Sequence, residues 1–456
     1  MVDSVAKAYP RKHFFVEMFT RDLSLTDCIL DLIDNSIDGL MRSRQIDIAS
    51  AILTEAVDLT DAEKGALPTV RINFSEKRFS IEDTCGGIPF NDALNDVFNF
   101  GHGAEYNADA SATQLGVYGV GLKRAIFKLG RVFEMTSETH EDGFSLHVDL
   151  DQWLQNDRML TDWTFPIKKS ASVRSAKRAG TRIVVKGLRE EIRMAMSDGS
   201  FGGRLCAEIA KTYALFLDRY VRIFVDDRAI APVSPPMGAS AEVTPGREIL
   251  DEDGVKVTIL AGLAARDEQD EWVGEHAGWY VACNGRMIVT ADKTERTGWG
   301  SGALPSWHSK FRGFVGLVIF QSSDPLKLPW TTTKRGLHHE SLVYQRVCNR
   351  MRVLARPVIS FLNSMYPDQE REQGYQRKLA QSVRVTDVRT VAHGEPATFD
   401  AGGTTERRAK TTVSIQYDAE KSDIALIRKH LRRPGMSCSR IGRHTFAAFI
   451  KMEGLK

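Results

Sequence analysis

No apolar run in this sequence approaches the ~18 residues a membrane span requires, and the N-terminal MVDSVAKAYPRKHFF lacks a signal-peptide core. No membrane partner is therefore expected, and a cytoplasmic location fits. Cysteine is scarce: six residues, at 28, 85, 206, 283, 348 and 438, without the paired spacing of a zinc site or a disulfide framework. That usage suits a reducing compartment. Neither sign of charge is in real excess, since a formal +2 gives no global attraction to nucleic acid or membrane. Internal repeats and long low-complexity tracts are missing too. What is present is the composition of a globular chain, 42% hydrophobic and 26% charged, long enough at 456 residues for two or three domains.

Along the chain, residues 69–74 and 78–82 read as strands, 91–99 as a short helix, and 101–115 as a small, polar, breaker-rich loop expected to be mobile. Strands follow at 132–137, 143–149 and 181–188, with a basic surface loop expected at 168–180. A second unit is expected to start near residue 190. It holds a helix at 203–217, hairpins turning at Asp226-Asp227 and Asn284-Gly285, a buried strand in FRGFVGLVIFQ, and a closing helix at 340–364. Residues 367–411 read as a linker. Beyond it lie two short basic helices around Pro434-Gly435. From 401 to 456 there are twelve Lys and Arg against five Asp and Glu, a local +7. The expected domains are thus 1–190, 191–366 and 367–456.

The chemistry concentrates in ILDLIDNSIDGL, residues 29–40. At ~100° per residue, Asp31, Asn35 and Asp38 share one stripe, with Asp34 at its edge, while Leu30, Ile33, Ile37 and Leu40 form the opposite, buried side. Asp31 and Asp34 have no basic residue three or four positions away to compensate them. The ordinary account of such a stripe is a solvated face. The sharper one is a bound cation or polar ligand, because asparagine is a mediocre helix former and its side-chain oxygen is placed among the acids. Three motifs follow in order. EDTCGGIP puts Asp83 at a strand end before Gly86, Gly87 and Ile88. GVYGVGLK sets Gly116, Tyr118, Gly119, Val120, Gly121, Leu122 and Lys123 ahead of a helix, where backbone N–H groups can meet phosphates. AGTRIVV begins a strand at Thr181, within reach of a shared network with Asp83.

Together and in this order, over residues 12–188, these motifs resemble the GHKL superfamily of gyrase B, the ninety-kilodalton heat-shock chaperone, histidine kinases and MutL. The resemblance implies an α+β fold: a Bergerat-type ATP-binding sandwich, helices on one face of a mixed sheet, then a ribosomal-S5-like transducer domain and a small basic C-terminal region. It implies Mg²⁺ with ATP as the cofactor, Asn35 being the metal's protein ligand, and Asp83, Thr181 and a water binding adenine. The loop from Gly116 to Lys123 would wrap the phosphates, and Asp31 would be the general base. Asp38 joins the cofactor contacts. The stripe would then be compensated by magnesium, water and ligand, although Asp34 and Asp38 need not touch the metal and a local hydrogen-bond network is the alternative for both, Asp34 above all. Two departures stand out. Asp31 occupies a position usually held by Glu, shorter by ~1.5 Å of reach, so hydrolysis of ATP to ADP and phosphate is expected to be slow. Cys85 replaces the first glycine of the Asp-x-Gly-x-Gly motif, with Gly86 sharing its turn role.

The layout resembles MORC- and MutL-like ATPases more than histidine kinases, since no dimerisation helix with a phospho-acceptor His precedes the motifs. VACNGRMI resembles their Asn-Gly-Arg hairpin. LPWTTTKRGL lies where such proteins extend a lysine to the γ-phosphate, with Lys334 first choice and Lys327 second. The implied protein is an ATP-dependent homodimeric clamp, residues 1–20 being the exchanged arm. It would act on DNA through the basic C-terminal region, in genome maintenance or phage defence. The alternative is a chaperone-like or signalling ATPase with a protein partner.

Overall fold

The computed structural model describes residues 10–54, 58–101, 114–116, 119–157, 159–170, 179–268, 271–302, 304–365, 382–401 and 418–455. Most of the loop expected at 101–115, most of the basic loop expected at 168–180, and Tyr118 lie outside them. The chain divides into two compact units, Met1–Gly402 and Gly403–Lys456.

Helix α1 (Lys12–Thr20) leads into α2 (Leu25–Arg44), the helix that carries the acidic stripe. Ser24 starts α2 by accepting a hydrogen bond from the Asp27 N–H, and Gln45 ends it in the left-handed conformation, φ 54°. Both the expected apolar side and Ile29, Leu32 and Met41 are buried. Each such side chain contributes roughly 1.5–3 kcal/mol on burial. Short helices α3 (Ile48–Leu53) and α4 (Asp61–Gly65) precede the first sheet.

That sheet is mixed. Its strands are β1 (Thr69–Phe74), β2 (Arg78–Asp83), β3 (Gly130–Glu138), β4 (Gly143–Asp149), β5 (Ile167–Ser170), β6 (Gly180–Leu188), β7 (Arg222–Val225) and β8 (Arg228–Ala229), in the spatial order β5-β4-β3-β6-β2-β1-β7-β8. Alternation sets its two faces. Val70, Ile72, Phe79, Ile81, Phe133, Met135, Ile183 and Val185 point to one side and are buried. The opposite side carries cross-strand charge pairs: Lys186 donates to Glu134 at 2.7 Å, and Arg182 lies 3.7 Å from Glu82. The helices cover the apolar side. They include α5 (Phe90–Asp92), which runs into a π-helical turn over Ala93–Val97, then α6 (Gly121–Leu129) and α7 (Leu150–Gln155). Helix α6 packs on α2 and is tied to α1 by Arg124, which donates to the Phe19 carbonyl at 3.2 Å.

Three expectations change. The first sheet does not end near residue 190: after α8 (Glu190–Ser197) and α9 (Phe201–Thr212), β7 pairs in parallel with β1. Residues 168–170, the start of the loop expected at 168–180, belong instead to an edge strand, β5, against β4. The linker expected from 367 contains a folded return. There β15 (Arg384–Val385) pairs with β9 (Gly238–Ala239), and Ala397 and Arg247 exchange backbone hydrogen bonds.

The second sheet contains β10 (Gly246–Glu252), β11 (Val255–Leu263), β12 (Gly278–Cys283), β13 (Arg286–Asp292) and β14 (Phe314–Gln321), in the order β10-β11-β14-β12-β13. All of β14 is buried, and α10 (Leu342–Ser364) closes the layer with Val347, Met351, Leu354, Val358 and Leu362 on one stripe. The fold class is therefore α+β with mixed sheets. The other unit holds helices Lys421–His430 and Cys438–Met452, either side of Pro434-Gly435 as expected.

Candidate functional site

A cavity of about 390 Å³ lies between α2, the ends of β2 and β6, the start of α6, and the loop holding Lys334. One end is built by strand alternation. Asp83, Ser137 and Thr181 share the parity of the core residues, so each projects from the helix-covered face. Asp83 is half-buried and its carboxylate accepts from the Ser36 hydroxyl at 2.9 Å, the Cys85 N–H at 2.9 Å and the Thr181 N–H at 3.2 Å. Burial pushes the Asp83 carboxyl up, and these three bonds act against that push. The link between Thr181 and Asp83 thus runs through the backbone amide. The Thr181 hydroxyl meets the Ser137 hydroxyl at 2.8 Å, and Ser137 also accepts from the Ile88 N–H at 2.8 Å.

The glycine turn after Asp83 explains why Cys85 is tolerated. Among the described residues the left-handed positions here are Gly86 (φ 100°) and Gly87 (φ 70°), and Cys85 is not one of them. A Cβ on Gly87 would lie 2.2 Å from the Glu138 carbonyl oxygen. Cys85 is a buried core residue that fits this ordinary backbone position.

At the other end the acidic stripe divides into two kinds of residue. Asp34 is buried and satisfied: Tyr213 Oη donates to it at 2.7 Å, Arg286 Nε at 2.9 Å and Lys334 Nζ at 2.8 Å. Burial alone would raise its carboxyl, but Arg286 and Lys334 outweigh that and hold it below the usual carboxylate range. Asp38 receives the Leu115 and Gly116 N–H groups, one on each oxygen, both at 2.7 Å, and burial pushes it up to about 6. These two acids are compensated by the protein itself, through the local hydrogen-bond network that was the alternative to ligand contact for both. Asp31 and Asn35 face the cavity too, and neither side chain forms a hydrogen bond with the described residues. Burial pushes the Asp31 carboxyl up to about 6, against the pull of Lys334. The start of α6 sits hard against it: a Cβ on Gly121 would lie 3.3 Å from Asp31 Cβ.

Gly116, Gly119, Val120, Gly121 and Leu122 line the cavity as well, so the motif is gathered at the start of α6. Lys123 lines it too, but its ammonium donates to the carbonyls of Val97 at 2.8 Å and Asn99 at 2.6 Å. Those are carbonyls left over at the end of the π-helical turn. Burial lowers Lys123 to about 8. In this arrangement its ammonium caps the π-helical turn, while the residue stays in the cavity wall with the rest of the glycine motif. Of the two candidate lysines in the later loop, Lys334 is in the cavity wall, buried and left-handed at φ 54°, whereas Lys327 donates to the Asp253 carbonyl at 3.1 Å, away from it.

Residues 23–181 match the family model described as histidine kinase-, DNA gyrase B-, and HSP90-like ATPase. This segment is a GHKL-type ATPase domain. No curated protein matches the chain. ATP binding is the property that such a GHKL domain implies, and the cavity lining falls within the matched segment except for Ile183, just beyond its end, and the wall that Thr332 and Lys334 supply. Sequence reasoning missed Arg286 and Tyr213 as partners of the site. Arg286 had a signal, being the lone charge inside ACNGRMIV, an otherwise apolar hairpin; Tyr213, on a turn after α9, had none.

Proposed function

We propose that the GHKL domain binds and slowly hydrolyses Mg²⁺-ATP, and that the second sheet acts as a transducer closing a nucleotide-dependent homodimeric clamp. The observation that carries this reading is Lys334: a residue of the second sheet's terminal loop forms part of the cavity wall, 2.8 Å from an acid of α2. The donor set fits magnesium. Asn35 offers a hard amide oxygen not used by the described residues, and among these residues no cluster of three His, Cys, Asp or Glu side chains competes as a metal cage. Bound there, the ion would neutralise charge on the phosphates.

The chain's own residues do the rest. Asp83 accepts a hydrogen bond from the adenine amino group, within the network of Ser36 and Thr181. The start of α6 directs backbone N–H groups toward the phosphates. Asp31, ionised above about 6, takes the proton of the attacking water. Lys334 exchanges its bond to Asp34 for one to the γ-phosphate, leaving Arg286 to satisfy the acid, and so reports nucleotide state to the second sheet. Asp31 and Lys334 are the residues placed at the reacting atoms.

The local +7 of residues 401–456 supports DNA as the substrate of the clamp, in a MORC- or MutL-like role in genome maintenance or phage defence. A protein client is the second reading, favoured by Phe446, Phe449 and Met452, which stand exposed along the helix Cys438–Met452. Light scattering tests the clamp: a nonhydrolysable ATP analogue should double the mass, ADP should not, and a monomer at saturating analogue contradicts it. DNA affinity of the full chain that falls steeply with salt supports the first substrate; indifference to DNA supports the second.

A further inference from the structure

The turn between β12 and β13 places three consecutive residues against three different neighbours. Gly285, at φ 81°, has no room for a side chain, because a Cβ would lie 2.2 Å from Ile52 Cδ1. Arg286 is taken by Asp34. Asn284, fully buried at φ 47°, uses its amide three times: Oδ1 accepts from the Ser322 N–H at 3.0 Å, and Nδ2 donates to the Ser322 carbonyl at 3.1 Å and to the Gln114 carbonyl at 3.0 Å. Ser322 follows β14, so the first two bonds fasten the turn to its own sheet. The third leaves that sheet and reaches segment 114–116, which Asp38 holds from the other side through the Leu115 and Gly116 N–H groups.

We propose that Asn284 is a positioning residue that couples segment 114–116 to the second sheet. Nucleotide occupancy then has a route between the two sheets that does not pass through Lys334. The nucleotide half of this rests on the function proposed above. The physical reason is burial. Asn284 is fully buried while Gln114 lines the cavity, so a shift of Gly116 toward a phosphate must carry the turn with it or leave the buried Asn284 donor without its Gln114 acceptor. Forfeiting it weights the equilibrium by roughly fivefold or more. Lys334 senses a γ-phosphate directly, whereas Asn284 senses the backbone beside it.

Hydrogen exchange on the full chain tests this with Asn284→Asp and Lys334→Ala, each with and without Mg²⁺ and adenylyl imidodiphosphate. Aspartate keeps the left-handed turn and the acceptor for the Ser322 N–H but removes the Nδ2 donor, which serves the Gln114 and Ser322 carbonyls alike, so the Leu115 and Gly116 amides are the readout specific to the Gln114 bond. Without nucleotide, the Leu115 and Gly116 amides should exchange about fivefold faster in Asn284→Asp and at the wild-type rate in Lys334→Ala. With the analogue, protection gained at Ser322 and the end of β14 should persist in Lys334→Ala and vanish in Asn284→Asp, while α6 remains protected in both. Should Asn284→Asp not fold, Asn284→Gly suits the same backbone and removes the same donor. Unchanged Leu115 and Gly116 exchange in the ligand-free variant overturns the coupling, as does second-sheet protection lost in Lys334→Ala and kept in Asn284→Asp. A wild type that gains no protection anywhere refutes nucleotide binding instead, and the ligand-free comparison still decides the role of Asn284.

Discussion

The two ends of the cavity are built in different ways. The Asp83 end is assembled from neighbouring strands and one helix: Asp83, Ser137 and Thr181 follow from alternation, and Ser36 lies one turn beyond Leu32 on α2. The Asp34 end joins residues 252 and 300 positions apart in the chain. The first can form within the GHKL segment alone, while the second exists only when the second sheet is docked. A site with one self-contained end and one borrowed end is suited to binding with the first and signalling with the second.

The sharpest way to break that contrast is at the residues facing the cavity. Asp31→Asn should keep nucleotide binding and lose about 10² to 10⁴ in single-turnover hydrolysis, because it removes the base and leaves Asn35 and the Asp83 end intact. Undiminished hydrolysis would move the activation step elsewhere.

Next in size is the borrowed end. Asp34→Ala leaves Arg286 and Lys334 buried without their shared acid and should destabilise Met1–Gly402 by about 3–5 kcal/mol in denaturant unfolding. The acid's folded pKa lies below its unfolded value, so its contribution is present above the ordinary carboxylate pKa, about 3.9, and is lost as pH falls through the lower folded value. Wild type and Asp34→Asn should accordingly converge in stability in acid. A gap that persists there would mean that charge is not what holds this end.

At the self-contained end, Asp83→Asn should weaken ATP binding by about ten- to a hundredfold in calorimetry, as the loss of one buried charge-assisted acceptor does. It should leave the docking of the second sheet unchanged. Smaller again is the effect of pH on the wild type. Asp31 is a base only when ionised, and burial sets that transition at about 6, so hydrolysis should fall about tenfold per unit below it and level off above. A profile flat down to the ordinary carboxylate range would contradict Asp31 as the base.

The same contrast decides what could be read from the sequence. The Asp83 end was legible because alternation and glycine turns are local: β1 matches its expected bounds, β2 runs one residue further, and Asp83, Gly87 and Thr181 all line the cavity. The tight turns at Asp226-Asp227 and Asn284-Gly285 were equally local, each with positive φ at both positions. The compensation of the stripe was not legible, because Arg286 reaches Asp34 through tertiary packing that no spacing rule encodes. The partners of the Lys123 ammonium were not legible for a related reason: the π-helical turn that leaves the Val97 and Asn99 carbonyls to it has no signature in the spacing. The boundary near 190 failed because β7 returns to the first sheet by a parallel crossover.

The central claim is that the borrowed end reads the γ-phosphate, and calorimetry on wild type and Lys334→Ala tests it most directly. Wild type should bind Mg²⁺ with adenylyl imidodiphosphate about tenfold or more tightly than Mg²⁺ with ADP, as one charge-assisted contact provides, and Lys334→Ala should bind the two equally. Equal affinities in the wild type, or a preference that survives in Lys334→Ala, would contradict it.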